Sequence, residues 1–270
     1  MEYQIITPKD QAYPKKLIER LGDECPDKIY YNGPLELLNS YSMAVISADS
    51  IYGQVMIETN QILFTIREYE MNYIGSWHSV METEIFRLSL FRKNTTTTLF
   101  SAKGLNKENF ESYLRDRFYP PLHEFPEEEE YWRRAQNGEL LILSISDPDE
   151  GRHLRKNIMA RNWIACILAD IVFVPYGPKG SKTYTTAKRV FKKGIPIFTN
   201  EGVGCNDLHE IGIPRFNRQT IGKFLENRGA KISIPKKEMQ NNIVGEKQMT
   251  FAKISNQTEL NFDRKGIDKD

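Results

Sequence analysis

Cysteine is scarce in this chain of 270 residues, and the few cysteines form no pattern. The three of them, Cys25, Cys166 and Cys205, stand far apart, whereas zinc sites and redox pairs use closely spaced cysteines. Secreted domains that depend on disulfides carry an even, paired set. The odd, scattered set therefore excludes a disulfide framework and a cysteine zinc site, and we expect a cytoplasmic protein.

Long apolar segments are missing as well. No run approaches the roughly 18 residues that a membrane-spanning helix requires. The first residues, Met1 to Ile5, lack the basic and apolar regions of a secretory signal peptide. We therefore expect no membrane anchor and no secretion.

The motifs of common catalytic and cofactor sites are also absent. The chain contains no His-x-x-x-His pair, no Gly-x-Ser-x-Gly elbow and no complete Gly-x-Gly-x-x-Gly fingerprint. The segment Gly177 to Lys182 resembles a Walker loop only superficially, because its glycine spacing and lysine position are wrong. Four scattered histidines are interpreted as surface or packing residues: His78, His123, His153 and His209. We expect neither an enzyme nor a bound metal or cofactor.

Charge is balanced over the whole chain but segregated within it. The 37 basic and 36 acidic residues exclude an overall electrostatic attraction to nucleic acid. Residues 151–200, however, hold ten Lys or Arg and one acid, Asp170, for a formal charge of +9. Within them a buried strand, Ile171 to Val174, leads into a glycine-containing loop. This combination predicts a phosphate-binding site, the alternative being a solvated basic face without a ligand.

Apolar runs alternate with helical patterns from residue 42 onwards. The predicted strands cover 42–46, 71–74, 97–100, 140–145, 171–174 and 195–198, and the predicted helices 52–69, 79–92, 152–169 and 184–193. Such alternation is typical of a mostly parallel sheet with helices on both faces. We predict a Rossmann-like α/β domain over 41–235, after an N-terminal lead-in of 1–40 and before a flexible polar tail of 236–270.

Ligands of such sheets bind beyond the carboxyl ends of the strands, so the strand-to-helix turns are the candidate site. The residues predicted to bind DNA or phosphate are Arg152, Arg155, Lys156, Arg161, Asn162, Lys179, Gly180, Ser181, Lys182 and Thr186. The residues predicted to form a pocket are Ser47, Asp49, Tyr52, Gly53, Gly75, Ser76, Gly204 and Asn206. We expect Arg161, Lys179 and Lys182 to line one groove.

Two polar positions have open alternatives. Asn162 lies within a predicted helix, where asparagine is unfavourable, so its side chain either braces a neighbouring loop or contacts a ligand. Asn206 or Asp207 stands near the start of a short predicted helix. A helix cap is the default role for these two residues.

Several segments, in this order and spacing, carry a family resemblance. They are Tyr13–Leu17 with Pro26, Tyr30 and Gly33–Leu38, then Met43–Ile46 with Tyr52 and Gly53, Arg161–Ala165, Ala169–Val174, Gly180 and Ser181 with Thr186, Ala187 and Gly194, and Gly204–Asn206 with Leu208. Over roughly residues 10–215 the chain resembles the DprA/Smf family of DNA-processing proteins, part of the SLOG group of Rossmann-like domains.

The chain departs from that family at its loops. The family has Gly-Ser-Arg after the first strand, where this chain has Ser47, Ala48 and Asp49, which places a carboxylate where an arginine is expected. The glycine-rich second loop is reduced to Gly75–His78, and Trp163 replaces the second arginine of Arg-Asn-Arg. The Pro-Gly-Gly-x-Gly-Thr motif of the phosphoribohydrolase branch is absent.

The resemblance implies a non-enzymatic, homodimeric protein that binds single-stranded DNA and loads a RecA-type recombinase. The alternative is a SLOG-type sensor of a nucleotide ligand in defence or signalling. A third candidate is a nucleotide hydrolase with Asp49 or Glu201 as the acid/base.

The tail contains one further pattern. Gln257, Leu260 and Phe262 form a Gln-x-x-Leu-x-Phe segment that resembles the motifs by which bacterial DNA-repair proteins bind the sliding clamp. The alternative is that Leu260 and Phe262 pack back onto the domain. The sequence therefore offers a sliding clamp as a second candidate partner.

Overall fold

The computed structural model describes residues 3–92, 94–116, 122–124 and 127–233. The chain divides into the compact unit Met1–Lys231 and a second unit, Ile232–Asp270. The predicted tail of 236–270, with Gln257, Leu260 and Phe262, lies outside the described residues.

The strands and helices begin and end as follows. The strands are β1 Gln4–Ile6, β2 Ile29–Asn32, β3 Ser42–Val45, β4 Tyr69–Gly75, β5 Thr95–Ser101, β6 Leu140–Ser144, β7 Ile171–Val174, β8 Ile197–Asn200, β9 Arg215–Phe216 and β10 Lys231–Ile232. The α-helices are α1 Lys15–Leu21, α2 Gly53–Ile66, α3 Val80–Leu90, α4 Phe110–Asp116, α5 Glu127–Gln136, α6 Arg155–Leu168, α7 Lys182–Lys192, α8 Asn206–Glu210 and α9 Ile221–Glu226.

The sheet is mostly parallel, and nine of its ten strands follow the order β1-β2-β6-β5-β4-β3-β7-β8-β9. All pairs from β6 to β9 along this order are parallel, whereas β2 pairs antiparallel with both β1 and β6. The Rossmann-like prediction is therefore confirmed. The order of the strands reverses between β3 and β7, where Ala44 lies opposite Val172, so this is the topological switch point.

The central strands form the core because they are buried on both faces. Every residue of β3, β6, β7 and β8 is buried, which explains why their sequences are mostly apolar. Phe173 and Phe198 stack across β7 and β8 with ring centroids 4.7 Å apart. None of the helices in the described part of the chain is long and apolar enough to cross a membrane.

Asp170, the one acid of the basic run, lies at the amino end of β7. Its Oδ2 accepts hydrogen bonds from Lys16 Nζ at 2.7 Å and from the Ser42 backbone N–H at 2.8 Å. This interaction holds α1 against the starts of β3 and β7. The negative charge of the run is therefore placed at the edge of the sheet opposite to the carboxyl ends of the strands.

Arg134 of α5 is a second buried charge that holds elements together. Its side chain is only 1% exposed and donates hydrogen bonds to the carbonyls of Leu90 (2.7 Å), Thr95 (2.6 Å) and Arg92. Glu130 Oε1 lies 3.2 Å from its Nε. One guanidinium thus satisfies the carbonyls between the end of α3 and the start of β5.

Candidate functional site

A cleft of about 480 Å³ lies at the carboxyl ends of the strands, at the switch point. The turns after β3 and β4 and the starts of α3, α6 and α7 supply its walls. The lining residues are Ser47, Ala48, Asp49, Ser76, His78, Ser79, Glu82, His153, Arg155, Ile158, Arg161, Asn162, Gly180, Ser181, Lys182 and Thr183.

The N-termini of three helices meet in this cleft. Ser79 caps α3 by accepting the Glu82 backbone N–H at 3.2 Å, and Ser181 caps α7 by accepting the Tyr184 N–H at 2.9 Å. Gly180, with a φ of 88°, makes the turn into α7, a conformation that side chains other than glycine rarely adopt. Because helix N-termini carry partial positive charge, their convergence favours an anionic ligand.

The basic side chains of the cleft play two different roles. Arg155 and Lys182 are exposed, and neither forms a salt bridge with any residue that the structure describes. Arg161 is only 5% exposed, and its Nε donates to Asn162 Oδ1 at 3.0 Å while Nη1 donates to the Phe100 carbonyl at 3.4 Å. Arg161 thus provides a fixed charge at the wall, and Asn162 braces it. The accessible positive charges of Lys and Arg in the cleft are those of Arg155 and Lys182.

A buried carboxylate, Glu82, ties the two turns of the cleft together. Its Oε1 accepts the Ser47 backbone N–H at 2.9 Å, and Oε2 accepts the Ser76 hydroxyl at 2.5 Å and the His78 N–H at 3.3 Å. Sequence reasoning missed this residue. The only signal was the Ser-x-x-Glu pattern of Ser79 and Glu82, which indicates a helix start and nothing about the turns.

The turn after β4 is closed by an aromatic side chain. Trp77 has a φ of 54°, is fully buried, and donates from Nε1 to the Thr98 carbonyl at 3.2 Å. A Cβ atom at Gly75 would meet the indole at 3.0 Å. The space that glycine leaves here is therefore filled by the protein itself, and Gly75 does not line the cleft.

Two imidazoles stack beside one another in the cleft. The rings of His78 and His153 have centroids 6.5 Å apart and planes 19° apart. The two residues precede α3 and α6, and only the fold brings them together. Within the described ranges no group of three or more His, Cys, Asp or Glu could hold a metal ion.

The predicted phosphate-binding residues divide into two groups. Those that line the cleft are Arg155, Arg161, Asn162, Gly180, Ser181 and Lys182. Those that do not are Arg152, Lys156, Lys179 and Thr186. Lys179 is exposed beside the cleft, where its backbone N–H donates to Asp207 Oδ2 at 2.7 Å, and the Thr186 side chain is buried.

The predicted pocket residues also divide into those that line the cleft and those that do not. Ser47, Asp49 and Ser76 line the cleft, and Gly53 begins α2. Gly204 allows close packing, because a Cβ there would meet Val55 Cγ2 at 2.5 Å. The default cap role for the start of α8 is wrong, since no side chain caps this helix and Asn206 Oδ1 instead accepts Arg215 Nη1 at 3.3 Å.

Tyr52 belongs to a second pocket of about 360 Å³ that adjoins the cleft. Its lining residues are Ala48, Asp49, Ser50, Ile51, Tyr52, Tyr176 and Pro178. The rings of Tyr52 and Tyr176 meet edge to face with centroids 5.6 Å apart. Burial, together with a hydrogen bond to Tyr52, raises the pKa of Tyr176 to about 12, so its hydroxyl stays neutral at physiological pH.

The order of the strands and the position of the cleft define a Rossmann-like protein with a cleft at the switch point. No protein-family model and no curated protein sequence matches the chain. Among solved structures, DNA processing protein A (DprA) from Streptococcus pneumoniae superimposes with a TM-score of 0.66 at 20% identity, over 87% of this chain and 76% of that one.

A second similar structure is that of DNA processing protein A from Helicobacter pylori. That structure was described for the way in which the Helicobacter protein binds single-stranded DNA. It superimposes with a TM-score of 0.61 at 22% identity, over 84% of this chain and 97% of that one. The two superpositions show that this chain has a DprA-like fold.

Proposed function

We propose that this protein binds single-stranded DNA in the cleft, as a DprA-like DNA-processing protein. The observation that carries the proposal is the convergence of three helix N-termini with the accessible charges of Arg155 and Lys182. The fold supports the same assignment, because the similar protein from Helicobacter pylori binds single-stranded DNA.

Two features of the cleft fit a single strand better than a duplex. Its cations are few and confined to one side, whereas a duplex is held by a broad basic surface. It also offers the exposed ring of Tyr52, which packs against Tyr176 in the adjoining pocket, and unpaired bases stack on such rings. We therefore expect phosphates on the side of α6 and α7, and bases toward the tyrosines.

A salt series tests the proposal. The affinity for a fluorescent single-stranded oligonucleotide should fall with salt with a log–log slope of about −0.7 per phosphate contact. Two or more contacts would therefore give a slope of about −1.4 or steeper. The absence of binding at low salt would refute the proposal, and a duplex of equal length is the matched control.

A nucleotide-ligand sensor is the second candidate function. The cleft volume of about 480 Å³ supports it, since pockets for small ligands span roughly 300–1,000 Å³. Saturable binding of a mononucleotide that depends little on salt, with weaker binding of DNA, would favour the sensor. Of the two acids of the hydrolase alternative, Asp49 lines the cleft and Glu201 does not, and release of product from a nucleotide would favour that alternative.

The finer parts of the proposal concern partners. We propose that the protein forms a homodimer and passes its DNA to a RecA-type recombinase. Light scattering measures the mass of the protein in solution, and recombinase filament formation with and without this protein tests the transfer. Binding of a peptide of residues 250–270 to purified sliding clamp tests the segment containing Gln257, Leu260 and Phe262.

A further inference from the structure

The adjoining pocket places a free carboxylate beside an exposed aromatic ring. Asp49 and Ala48 line both the cleft and the adjoining pocket, so Asp49 stands at the boundary between them. Asp49 is exposed, and its carboxylate has no hydrogen bond or salt bridge to any part of the chain that the structure describes. Both oxygens of Asp49 are thus available to a ligand.

The charge of Asp49 determines which part of a nucleotide can lie beside it. A carboxylate repels phosphate, and it can only accept hydrogen bonds. The phosphate therefore belongs at the start of α7, near Ser181 and Lys182, where N–H groups and a cation are present. The internal sugars of a DNA strand carry no free hydroxyl, so the part of the strand that can donate to Asp49 is the N–H-bearing edge of a base.

The wall of the pocket suits a base. Tyr52 is 66% exposed, and its ring is held edge to face against Tyr176, which is only 6% exposed. The Ala48 backbone N–H donates to the Tyr176 carbonyl at 2.9 Å and so fixes the Asp49 turn beside these rings. An exposed ring on a fixed support is a stacking surface for an unpaired base.

The donor pattern then selects among the bases. On its Watson–Crick edge guanine carries two adjacent donors, N1–H and the N2 amino group, which match the two oxygens of a carboxylate. Adenine and cytosine place one donor beside an acceptor, and thymine has one donor between two acceptors. Such edges are open to hydrogen bonding in single strands.

We propose that Asp49 and Tyr52 form a guanine-selective base pocket for the single strand bound in the cleft. The inference rests on the proposed function and adds base selectivity to it. The carboxylate at this turn thus forms hydrogen bonds with a base and does not bind the phosphate backbone of the DNA.

The test uses thymine oligonucleotides with one central position changed to guanine, hypoxanthine, adenine or cytosine. The unaltered protein should bind the guanine oligonucleotide about tenfold more tightly than the adenine one, since a good bidentate pair discriminates by about 1–3 kcal/mol. Hypoxanthine lacks the N2 amino group and should fall between them. Asp49→Asn should abolish the preference and tighten binding of the all-thymine strand, because a negative charge is lost from the cleft.

Two further variants complete the experiment. Tyr52→Ala removes an exposed ring and should weaken binding of every strand that carries a purine. Asp23→Asn, an exposed acid that lines neither the cleft nor the adjoining pocket, is the matched control and should change nothing. Failure of the all-thymine strand to bind would refute the proposed function. Binding of that strand without a guanine preference, or a preference that survives Asp49→Asn, would overturn the base pocket alone.

Discussion

Reversing the two accessible charges of the cleft is the most direct test of the anion site. The double variant Arg155→Glu, Lys182→Glu changes the first turns of α6 and α7, where both side chains are exposed. Neither residue forms a salt bridge within the described part of the chain, so the substitutions break no ionic contact there. The fold should therefore persist while the field of the cleft changes sign.

The expected loss follows from Coulomb's law. A phosphate about 4 Å from a cation gains ~1 kcal/mol in water, and charge reversal replaces this gain with a repulsion of equal size. Two such contacts give ~4 kcal/mol, which screening over a Debye length of about 8 Å at physiological salt reduces to ~2.4 kcal/mol. The affinity for single-stranded DNA should fall roughly sixtyfold, and the salt slope should become shallower by about 1.4.

Fluorescence anisotropy with a labelled single strand, repeated over a salt series, measures both quantities. The control is Lys156→Glu, Lys188→Glu, which makes the same change of charge on the same two helices at exposed positions outside the cleft. The control should lose only a few-fold in affinity through the change in net charge. Equal losses in the two double variants would show that the cleft does not hold the DNA.

Three further predictions concern stability and reactivity. Arg134→Met should lower the free energy of unfolding by about 3–5 kcal/mol in chemical denaturation, because it leaves buried carbonyls unsatisfied, whereas the more exposed Arg133→Met should cost about 1 kcal/mol or less. Hydrogen bonds from Arg133 lower the pKa of Glu130 in the folded protein, so ionised Glu130 stabilises the fold above about pH 4.5 and this contribution is lost as the pH falls. In Glu130→Gln, the free energy of unfolding measured against pH should therefore fall less steeply on the acid side. Burial raises the pKa of Cys166 and also of the more accessible Cys25, so iodoacetamide should modify Cys25 first and reach Cys166 only on unfolding, as mass spectrometry would show.

The sequence predicts the central sheet well because these strands are buried on both faces. The six predicted strands correspond to β3 through β8, and β7 matches its predicted range of 171–174. The strands of the N-terminal lead-in, β1 and β2, are harder to predict from the sequence, because they are short and only some of their residues are buried. Their pairing depends on β6, which lies over a hundred residues later in the chain, and no local pattern reveals such a partner.

The candidate site could be predicted from the sequence only where its position follows from the order of the strands. The turns containing Asp49 and Ser181 were expected because ligands bind at the carboxyl ends of strands, and both line the cleft. Glu82 and the His78–His153 pair were missed, since their contacts join segments that the sequence keeps apart. Buried polar residues of this kind resemble ordinary helix or surface residues until the fold is known.

The indole of Trp77 has a consequence for the way the proposed DNA strand would enter the cleft. Its ring fills the space beside Gly75 from within, so the turn after β4 cannot open toward a ligand backbone. Phosphate must then approach from the side of α7, while the Asp49 turn repels it. A strand bound there would therefore be asymmetric across its width, with phosphates on the α7 wall and bases on the opposite side.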